Sequence, residues 1–300
     1  MITSYTTTPL TPRFGVEVHG IDLGDPASDA MFAHIRALFE EHSVLLFRRQ
    51  TIESARHIAL ANLFGPIEDR NANERKEGEL FKVPEVSNVR ADGKISDEMD
   101  PQTLNLKANM LWHSDSTFLP VPALTNILIS RVVTTEGGAT ELASTRAAWA
   151  DMPDAMRARI EGRGIWHHYA HSRAKISPAL AEMPMFNKWP ETHWNAIWKN
   201  PVNDREALYL ASHARRVDGY SVTEGQDLLA ELTAFCTQPA YVYAHHWQVG
   251  DVLLWDQRAV MHRATPWPYD QPRTLSSICV SVTEADGVST IRMPVPEPAI

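Results

Sequence analysis

Two residues that commonly bind metals, His113 and Asp115, stand two positions apart, and His262 lies far downstream. In a β-strand, residues i and i+2 share a face, so this spacing predicts that the first two side chains lie side by side on a strand. A histidine from another strand would complete two imidazoles and one carboxylate. Such a set covers one face of iron(II) and leaves positions open for an organic acid and O2. A His-x-Asp tripeptide is common by chance and a lone histidine is more often a core residue, so the surrounding residues decide the interpretation.

Arg273, eleven positions after His262, has the chemistry of an anion-binding residue. It begins a predicted strand over residues 273–282. One face of that strand would carry Arg273, Leu275, Ser277, Cys279 and Ser281. An arginine at the start of an inward-facing row is costly unless an anion pairs with it. Either it forms a salt bridge at the rim of the fold, or its planar fork binds a carboxylate through two hydrogen bonds.

The composition is that of a globular protein, with 300 residues of which 44% are hydrophobic and 22% charged. The net charge of −9 and the lack of a Lys/Arg run argue against a nucleic-acid-binding surface. Cys236 and Cys279 are the only cysteines, which excludes a disulfide scaffold and fits a reducing cytosol. Residues 1–5 do not resemble a signal peptide, and no apolar stretch is long enough to span a bilayer. We expect a cytoplasmic protein with a small-molecule substrate and no nucleic-acid or membrane partner, and a homo-oligomer is left open.

Hydrophobic periodicity predicts mainly helices at the front of the chain and mainly strands at the back. Helical spacing of apolar residues predicts helices over 29–42, 52–64 and 145–161. The capping-box pattern of Ser221 and Glu224 predicts a further helix after it. Apolar runs predict strands over 14–23, 43–47, 86–89, 123–133, 241–246, 251–255 and 273–282. The rest of residues 66–104 is expected to form loops, and Gly137-Gly138 a turn.

This order of elements predicts a mostly β fold with flanking helices. The architecture that fits it is an antiparallel jelly roll, or double-stranded β-helix. No repeat or low-complexity linker divides the chain. Residues 1–300 are therefore expected to form a single jelly-roll domain with helical insertions.

Motifs between residues 13 and 283 resemble those of the iron(II)- and 2-oxoglutarate-dependent dioxygenases of the taurine and 2,4-dichlorophenoxyacetate dioxygenase family. The matching stretches are residues 14–18, 43–48, 64–66, 87–89, 109–116, 137–140 and 250–263. The spacing from His262 to Arg273 matches as well. The sequences Trp-His-Ser-Asp-Ser (112–116) and Trp-Asp-Gln-Arg (255–258) are most similar to the aryloxyalkanoate subgroup.

The resemblance implies a role for each residue of this set. His113, Asp115 and His262 are expected to bind iron(II), and Arg273 with Thr140 to bind the far carboxylate of 2-oxoglutarate. The enzyme would use O2 to hydroxylate a small, aryloxyalkanoate-like anion while 2-oxoglutarate is decarboxylated to succinate and CO2. Independently of the resemblance, two imidazoles with a hard carboxylate suit iron(II), and the absence of cysteine ligands argues against a soft-metal site.

Ser277 departs from the family pattern, because relatives commonly carry a substrate-binding arginine four residues after the cosubstrate arginine. The serine should still face the pocket, but it cannot replace a guanidinium as an anion clamp. Either another cation supplies the charge, or the substrate is not a simple carboxylate or sulfonate at that place. The candidates for this cation are Lys94, Lys82, Arg173 and His213. Asn109 stands where the family often has a polar residue that faces the substrate.

The segment 189–198 contains Trp189, Trp194 and Trp198 and has no clear periodicity. These tryptophans would either form a lid over an aromatic substrate or pack a loop onto the barrel.

Two other functions use the same ligand set. A non-oxidative jelly-roll protein could bind a divalent metal and a small ligand as a sensor or storage module. Such a protein has no need of a carboxylate clamp, so Arg273 and Thr140 favour the dioxygenase. A zinc hydrolase is less favoured because the sequence shows no separate base.

Overall fold

Fifteen short strands form the framework in the computed structural model, which describes residues 4–293. In chain order they are β1 (Thr6–Pro9), β2 (Val16–His19), β3 (Val44–Phe47), β4 (Glu85–Ser87), β5 (Ala123–Val132), β6 (Thr140–Ser144), β7 (Gly164–His167), β8 (Thr192–Asn195), β9 (Ile197–Lys199), β10 (Glu206–Leu208), β11 (Ala214–Val217), β12 (Val242–His245), β13 (Val252–Asp256), β14 (Val260–Ala264) and β15 (Thr274–Ser281). The largest sheet has the order β1-β2-β3-β13-β5-β15-β4. All its pairs are antiparallel except β2 with β3.

A three-stranded sheet of order β12-β6-β14 packs against the inner face of the large sheet. Leu46 and Leu253 of the large sheet share one buried hydrophobic cluster with Leu142 of β6 and Val260 of β14. Two mainly antiparallel sheets with a common apolar core form a jelly roll, so the predicted fold class is confirmed.

Nine α-helices accompany the strands within residues 4–293. They are α1 (Phe32–His42), α2 (Ser54–Phe64), α3 (Pro101–Ala108), α4 (Thr145–Asp151), α5 (Asp154–Arg157), α6 (Tyr169–Ala174), α7 (Pro178–Ala181), α8 (Val222–Cys236) and α9 (Val288–Ile291). Helices α1 and α2 cover the outer face of the large sheet, where Phe39 and Phe64 pack with Phe47. Strand β3 is therefore covered on both faces, which explains why its run Val-Leu-Leu-Phe is apolar throughout. None of these helices combines the length and apolar character needed to cross a membrane.

An insertion between β6 and β12 carries α4 to α8 and two small sheets, β11-β7-β8 and β10-β9. It has its own apolar cluster, to which α8 contributes Leu228 and Leu232. The predicted capping box is confirmed, since Ser221 and Glu224 each bond the other's backbone at the start of α8. This arrangement fits the prediction of a strand-rich chain with an inserted helical region.

Two predictions that concern helices are wrong. The helix expected over 145–161 breaks after Asp151, because Pro153 has no backbone N–H and disfavours a helical conformation at Met152. The loop expected up to residue 104 contains the start of α3, whose first residue is Pro101. Proline at the first helical position is a known helix-start signal and could have identified this helix.

Most of the tryptophan-rich segment forms β8 and β9. Trp194 and Trp198 are only 4% and 1% exposed, and both belong to the core that α1 and α2 share with the sheet. The indole of Trp194 donates a hydrogen bond of 2.6 Å to the carbonyl of Thr117. For Trp194 and Trp198 the structure therefore supports packing. Trp189 is half-buried, and its ring centroid lies 6.0 Å from that of Phe118 and 6.4 Å from that of Tyr169.

A buried ionic network joins the large sheet to the helices. Arg258 is 1% exposed and donates to Asp256 Oδ1 at 2.8 Å and to Glu40 Oε2 of α1 at 2.6 Å. Arg146 of α4 donates to the other oxygen of Asp256 at 3.2 Å. Asn200, which follows β9, also donates to Glu40. The network therefore ties α1, α4 and the inserted segment to the end of β13.

Replacing Glu40 with alanine should destabilise the fold strongly. The substitution leaves Arg258 buried with only one of its two carboxylate partners, and breaking a buried pair in this way costs about 3 kcal/mol. Urea denaturation of the variant measures this loss. The matched control is Glu231→Ala, which removes an exposed partner of Arg159 and should leave the transition unchanged. Equal transitions for Glu40→Ala and the wild type would contradict the role of the network.

Candidate active site

A cavity of about 540 Å³ opens between the large sheet and the segments that cover it. It contains nearly all the site residues expected from the sequence: His113, Asp115, Asn109, Thr140, His213, His262, Arg273 and Ser277. Of the expected site residues, only Lys94 is absent from the lining; it is exposed in the turn after Asp92. The fold thus brings together residues from five separate parts of the chain.

His113 and His262 meet through backbone pairing. The N–H of His113 donates to the carbonyl of His262 at 3.0 Å, and the reverse bond is 2.7 Å. The two residues are therefore direct neighbours across an isolated antiparallel bridge. Their ring centroids lie 4.2 Å apart. Strand β14, which carries His262, thereby positions a histidine from a segment that is otherwise irregular.

Asp115 reaches the same place from a turn. The expectation that His113 and Asp115 lie on one regular strand is wrong, because the chain turns after the bridge at His113. Ser116 adopts a left-handed conformation with φ of 59° within this turn. Asp115 Oδ1 lies 3.7 Å from His113 Nε2, and Oδ2 lies 3.7 Å from His262 Nε2. The turn brings the carboxylate between the two imidazoles.

The three side chains fit a metal ion. One ligand atom from each lies within 4.8 Å of the others, and the three residues are at least half buried in the cavity wall. His113 Nδ1 donates to the carbonyl of Leu111 at 2.7 Å, so its Nε2 carries the lone pair. Burial lowers the pKa of His113, and it lowers that of His262 to about 3, so both imidazoles are neutral at neutral pH. Neutral imidazoles and a carboxylate are the donor set expected for iron(II).

Two amide side chains that the sequence analysis missed hold Asp115 in place. Gln257 accepts from the backbone N–H of Asp115 at 2.8 Å and donates to its Oδ2 at 2.7 Å. Asn126 of β5 donates to the same oxygen at 3.0 Å. An asparagine inside the apolar run of β5 was a visible signal, because a buried amide needs partners. Hydrogen bonds of this kind orient a metal ligand.

Ser277 belongs to this support. Its hydroxyl donates to Asn126 Oδ1 at 2.9 Å, and Asn126 in turn donates to Asp115. The serine lines the cavity as expected, but its hydrogen is directed to a neighbouring amide. A residue that the family pattern would assign to the substrate is here connected to Asp115, a candidate metal ligand.

Arg273 lies on the same cavity wall with no anionic partner among the described residues. It is 3% exposed, its Nε and Nη2 donate to the carbonyl of Gly138, and its guanidinium carbon lies 5.0 Å from the ring centroid of Trp267. Burial lowers the pKa of Arg273 to about 10, so the group stays charged at neutral pH. A buried charge without a counterion indicates a binding site for an anion.

Gly138 and Thr140 complete that end of the cavity. Gly138 has φ of 64°, and a Cβ there would lie 3.1 Å from Arg273 Nε, so the close approach of the arginine requires glycine. Thr140 Oγ1 accepts from the indole of Trp247 at 3.0 Å, which leaves its own hydrogen for another acceptor. Gly137 and Gly138, where a turn was predicted, both have positive φ in the connection between β5 and β6, and Gly138 supports the arginine.

The remaining candidate cations differ in burial. Lys82 lines the cavity, but its side chain is 86% exposed and lies 4.0 Å from Glu79. His213 is 2% exposed, and burial lowers its pKa well below the ordinary value, so it supplies no charge. Arg173 is 4% exposed and lines the cavity. Of these candidates, only Arg173 places a buried positive charge in the cavity.

Replacing Gln257 with alanine should weaken metal binding about tenfold or more, since it removes both restraints on Asp115. The measurement is the Kd of Mn(II) for the metal-free protein, by calorimetry. Gln226→Ala is the matched control, because Gln226 on α8 donates to the backbone carbonyls of Ala214 and Arg215 in β11 and does not line the cavity. An unchanged Kd in Gln257→Ala, with normal thermal stability, would show that the amide does not position the ligand.

The sequence and structure match known proteins along most of the chain. The family described as "Taurine catabolism dioxygenase TauD, TfdA family" matches residues 6–279. An α-ketoglutarate-dependent 2,4-dichlorophenoxyacetate dioxygenase of Cupriavidus pinatubonensis is 34% identical over 91% of this chain and 96% of its own. An (S)-phenoxypropionate/α-ketoglutarate dioxygenase of Sphingobium herbicidovorans is 32% identical over 92% and 94%.

A solved structure is similar over the same length. The crystal structure of AAD-2 in complex with Mn(II) and N-oxalylglycine superimposes with a TM-score of 0.86 at 32% identity, covering 95% of this chain and 99% of that one. The chain therefore belongs to the TauD/TfdA family and is a non-haem iron dioxygenase that uses Fe(II), 2-oxoglutarate and O2.

Proposed function

We propose that this enzyme hydroxylates a small aryloxyalkanoate-like acid and couples the reaction to decarboxylation of 2-oxoglutarate to succinate and CO2. The observation that carries the proposal is one cavity with the His113, Asp115 and His262 cluster and an unpaired buried arginine, Arg273. The two similar curated relatives act, by name, on 2,4-dichlorophenoxyacetate and (S)-phenoxypropionate. A non-oxidative metal-binding protein is not favoured, because it would not need the arginine.

The proposed roles follow from the contacts. His113, Asp115 and His262 would hold iron(II), which supplies the activation of O2 and the oxidation of a C–H bond. Arg273 would bind the far carboxylate of 2-oxoglutarate through its fork, and the Thr140 hydroxyl would donate to the same group. Gln257 would keep Asp115 oriented while these ligands exchange. The chain's own contribution is therefore binding, orientation and exclusion of water.

The cavity wall suits an aromatic ring. Phe118 and Tyr169 both line the cavity, and their rings stack with centroids 3.7 Å apart and an interplanar angle of 4°. Phe81 and Leu80 add apolar surface. Asn109 also lines the cavity, which supports the prediction that it faces the substrate. If the hydroxylated carbon carries an ether oxygen, the product is a hemiacetal, which breaks into a phenol and a carbonyl acid.

The domain organisation, the cellular location and the partners of the protein remain predictions. We propose that residues 1–300 form a single domain and that the protein works in the cytoplasm on a small molecule. Neither a nucleic acid nor a membrane is a proposed partner. A homo-oligomer is compatible with these proposals.

Replacing Arg273 with glutamine should weaken 2-oxoglutarate binding about tenfold to a hundredfold, because a charge-assisted fork is lost. The titration follows the visible absorption of the anaerobic Fe(II) protein as 2-oxoglutarate is added. Arg205→Gln, which removes an exposed partner of Glu41, should bind normally. A normal Kd in Arg273→Gln would refute the cosubstrate role.

The substrate class is tested with a panel scored by succinate release. Aryloxyacetates and 2-aryloxypropionates should stimulate succinate formation more than taurine or uncharged aryl ethers, and should also release a phenol. His113→Ala should abolish both products, since one ligand of the metal is lost. If taurine stimulates succinate release and the aryloxy acids do not, the reaction class is retained but the aryloxy substrate is rejected.

A further inference from the structure

Two buried arginines line the cavity, and the cosubstrate accounts for only one of them. Arg173 lies on α6, and within residues 4–293 its guanidinium contacts only neutral groups. It donates to Ser172 Oγ at 2.8 Å, to Asn105 Oδ1 at 2.8 Å and to Tyr169 Oη at 3.2 Å. Its Nε is buried and has no partner among the described residues. The group is therefore held in position while its charge is not balanced.

The other cations that line the cavity have carboxylate partners. Arg70 pairs with Glu68 at 2.6 Å, Arg75 with Asp69, and Lys82 with Glu79. Among the described residues that line the cavity, this leaves two guanidiniums without a carboxylate partner, Arg173 and Arg273. It also leaves one carboxylate without a Lys or Arg partner, Asp115.

The net charge of the cavity with iron(II) and 2-oxoglutarate bound follows from these unpaired groups. A divalent iron, two guanidiniums and one carboxylate sum to three positive charges, and 2-oxoglutarate neutralises two of them. One positive charge remains for the prime substrate. A desolvated charge is costly without a counterion, so a monoanion should be bound in preference to a neutral molecule.

Arg173 and Arg273 have different neighbours in the cavity wall. His213 Nε2 lies 3.5 Å from Arg173 Nη1, and the ring of His213 lies 6.1 Å from that of His113. An arginine only donates, so His213 Nε2 is the acceptor of this contact and its Nδ1–H can donate to Thr117, 3.3 Å away. Arg273 instead contacts Gly138 and Trp267. His213 therefore lies between Arg173 and His113, one of the candidate metal ligands.

The aromatic wall continues from Arg173. Its guanidinium carbon lies 4.4 Å from the ring centroid of Tyr169, which stacks on Phe118. A cation beside two parallel rings matches a ligand with a carboxylate next to an aryl group. We infer that Arg173 binds the carboxylate of the prime substrate, replacing the arginine that is absent at Ser277. This assignment rests on the proposed function.

Calorimetry on the anaerobic protein loaded with Mn(II) and 2-oxoglutarate tests the assignment without turnover. The probes are 2,4-dichlorophenoxyacetate and its neutral counterpart 2-(2,4-dichlorophenoxy)ethanol. In Arg173→Gln the Kd of the acid should rise about tenfold or more, while the Kd of the alcohol stays unchanged. Lys94→Gln, which removes an exposed charge outside the cavity, should bind both as the wild type does.

The outcomes are distinct. Equal weakening of acid and alcohol in Arg173→Gln would show a purely structural role, and an unchanged acid Kd would remove Arg173 from the site. If this variant does not fold, Arg173→Lys keeps a charge but loses the fork, and should still weaken the acid selectively. Wild-type protein that binds the acid no better than the alcohol would also overturn the inference. If the wild-type protein does not bind 2-oxoglutarate at all, the result would instead contradict the proposed function.

Discussion

The backbone bridge between His113 and His262 is the contact on which the active site depends. Two reciprocal hydrogen bonds attach an irregular segment to strand β14, and the turn after the bridge then places Asp115 beside both imidazoles. Because the second sheet holds β14 against the large sheet, the position of the three candidate metal ligands is set by the packing of the two sheets. Gln257, in the turn that links β13 of the large sheet to β14 of the second sheet, holds Asp115 in place.

Buried arginines have two different uses in this molecule. Arg258 is surrounded by carboxylates and joins helices to the sheet, so its charge is balanced within the fold. Arg173 and Arg273 are equally buried, but their partners are neutral, and both line the cavity. The physical distinction is whether the chain or a ligand supplies the anion, and this distinction separates structural arginines from proposed binding ones.

Ser277 shows how a change at one position can alter the use of a neighbouring one. A serine is too short to clamp an anion, but on β15 it reaches Asn126 and extends the hydrogen bonds that hold Asp115. The charge that the family pattern places on this strand is then supplied, in the proposed site, from α6. Relocating the charge moves the anion to another wall of the same cavity, which is one way for related enzymes to differ in substrate.

The family resemblance supplied the expected roles of the candidate metal ligands and of Arg273. Local chemistry and spacing along the chain predicted the jelly-roll class and the residue types of a candidate metal cluster, because apolar alternation and ligand types are readable without distances. They also identified four possible substrate cations without ranking them. The tertiary structure decided among these, since burial and pairing depend on segments far apart in sequence: it left Lys94 outside the cavity and Arg173 inside it. It likewise decided the turn at Asp115, the break before Pro153 and the buried packing of Trp194, where long-range contacts outweigh local pattern.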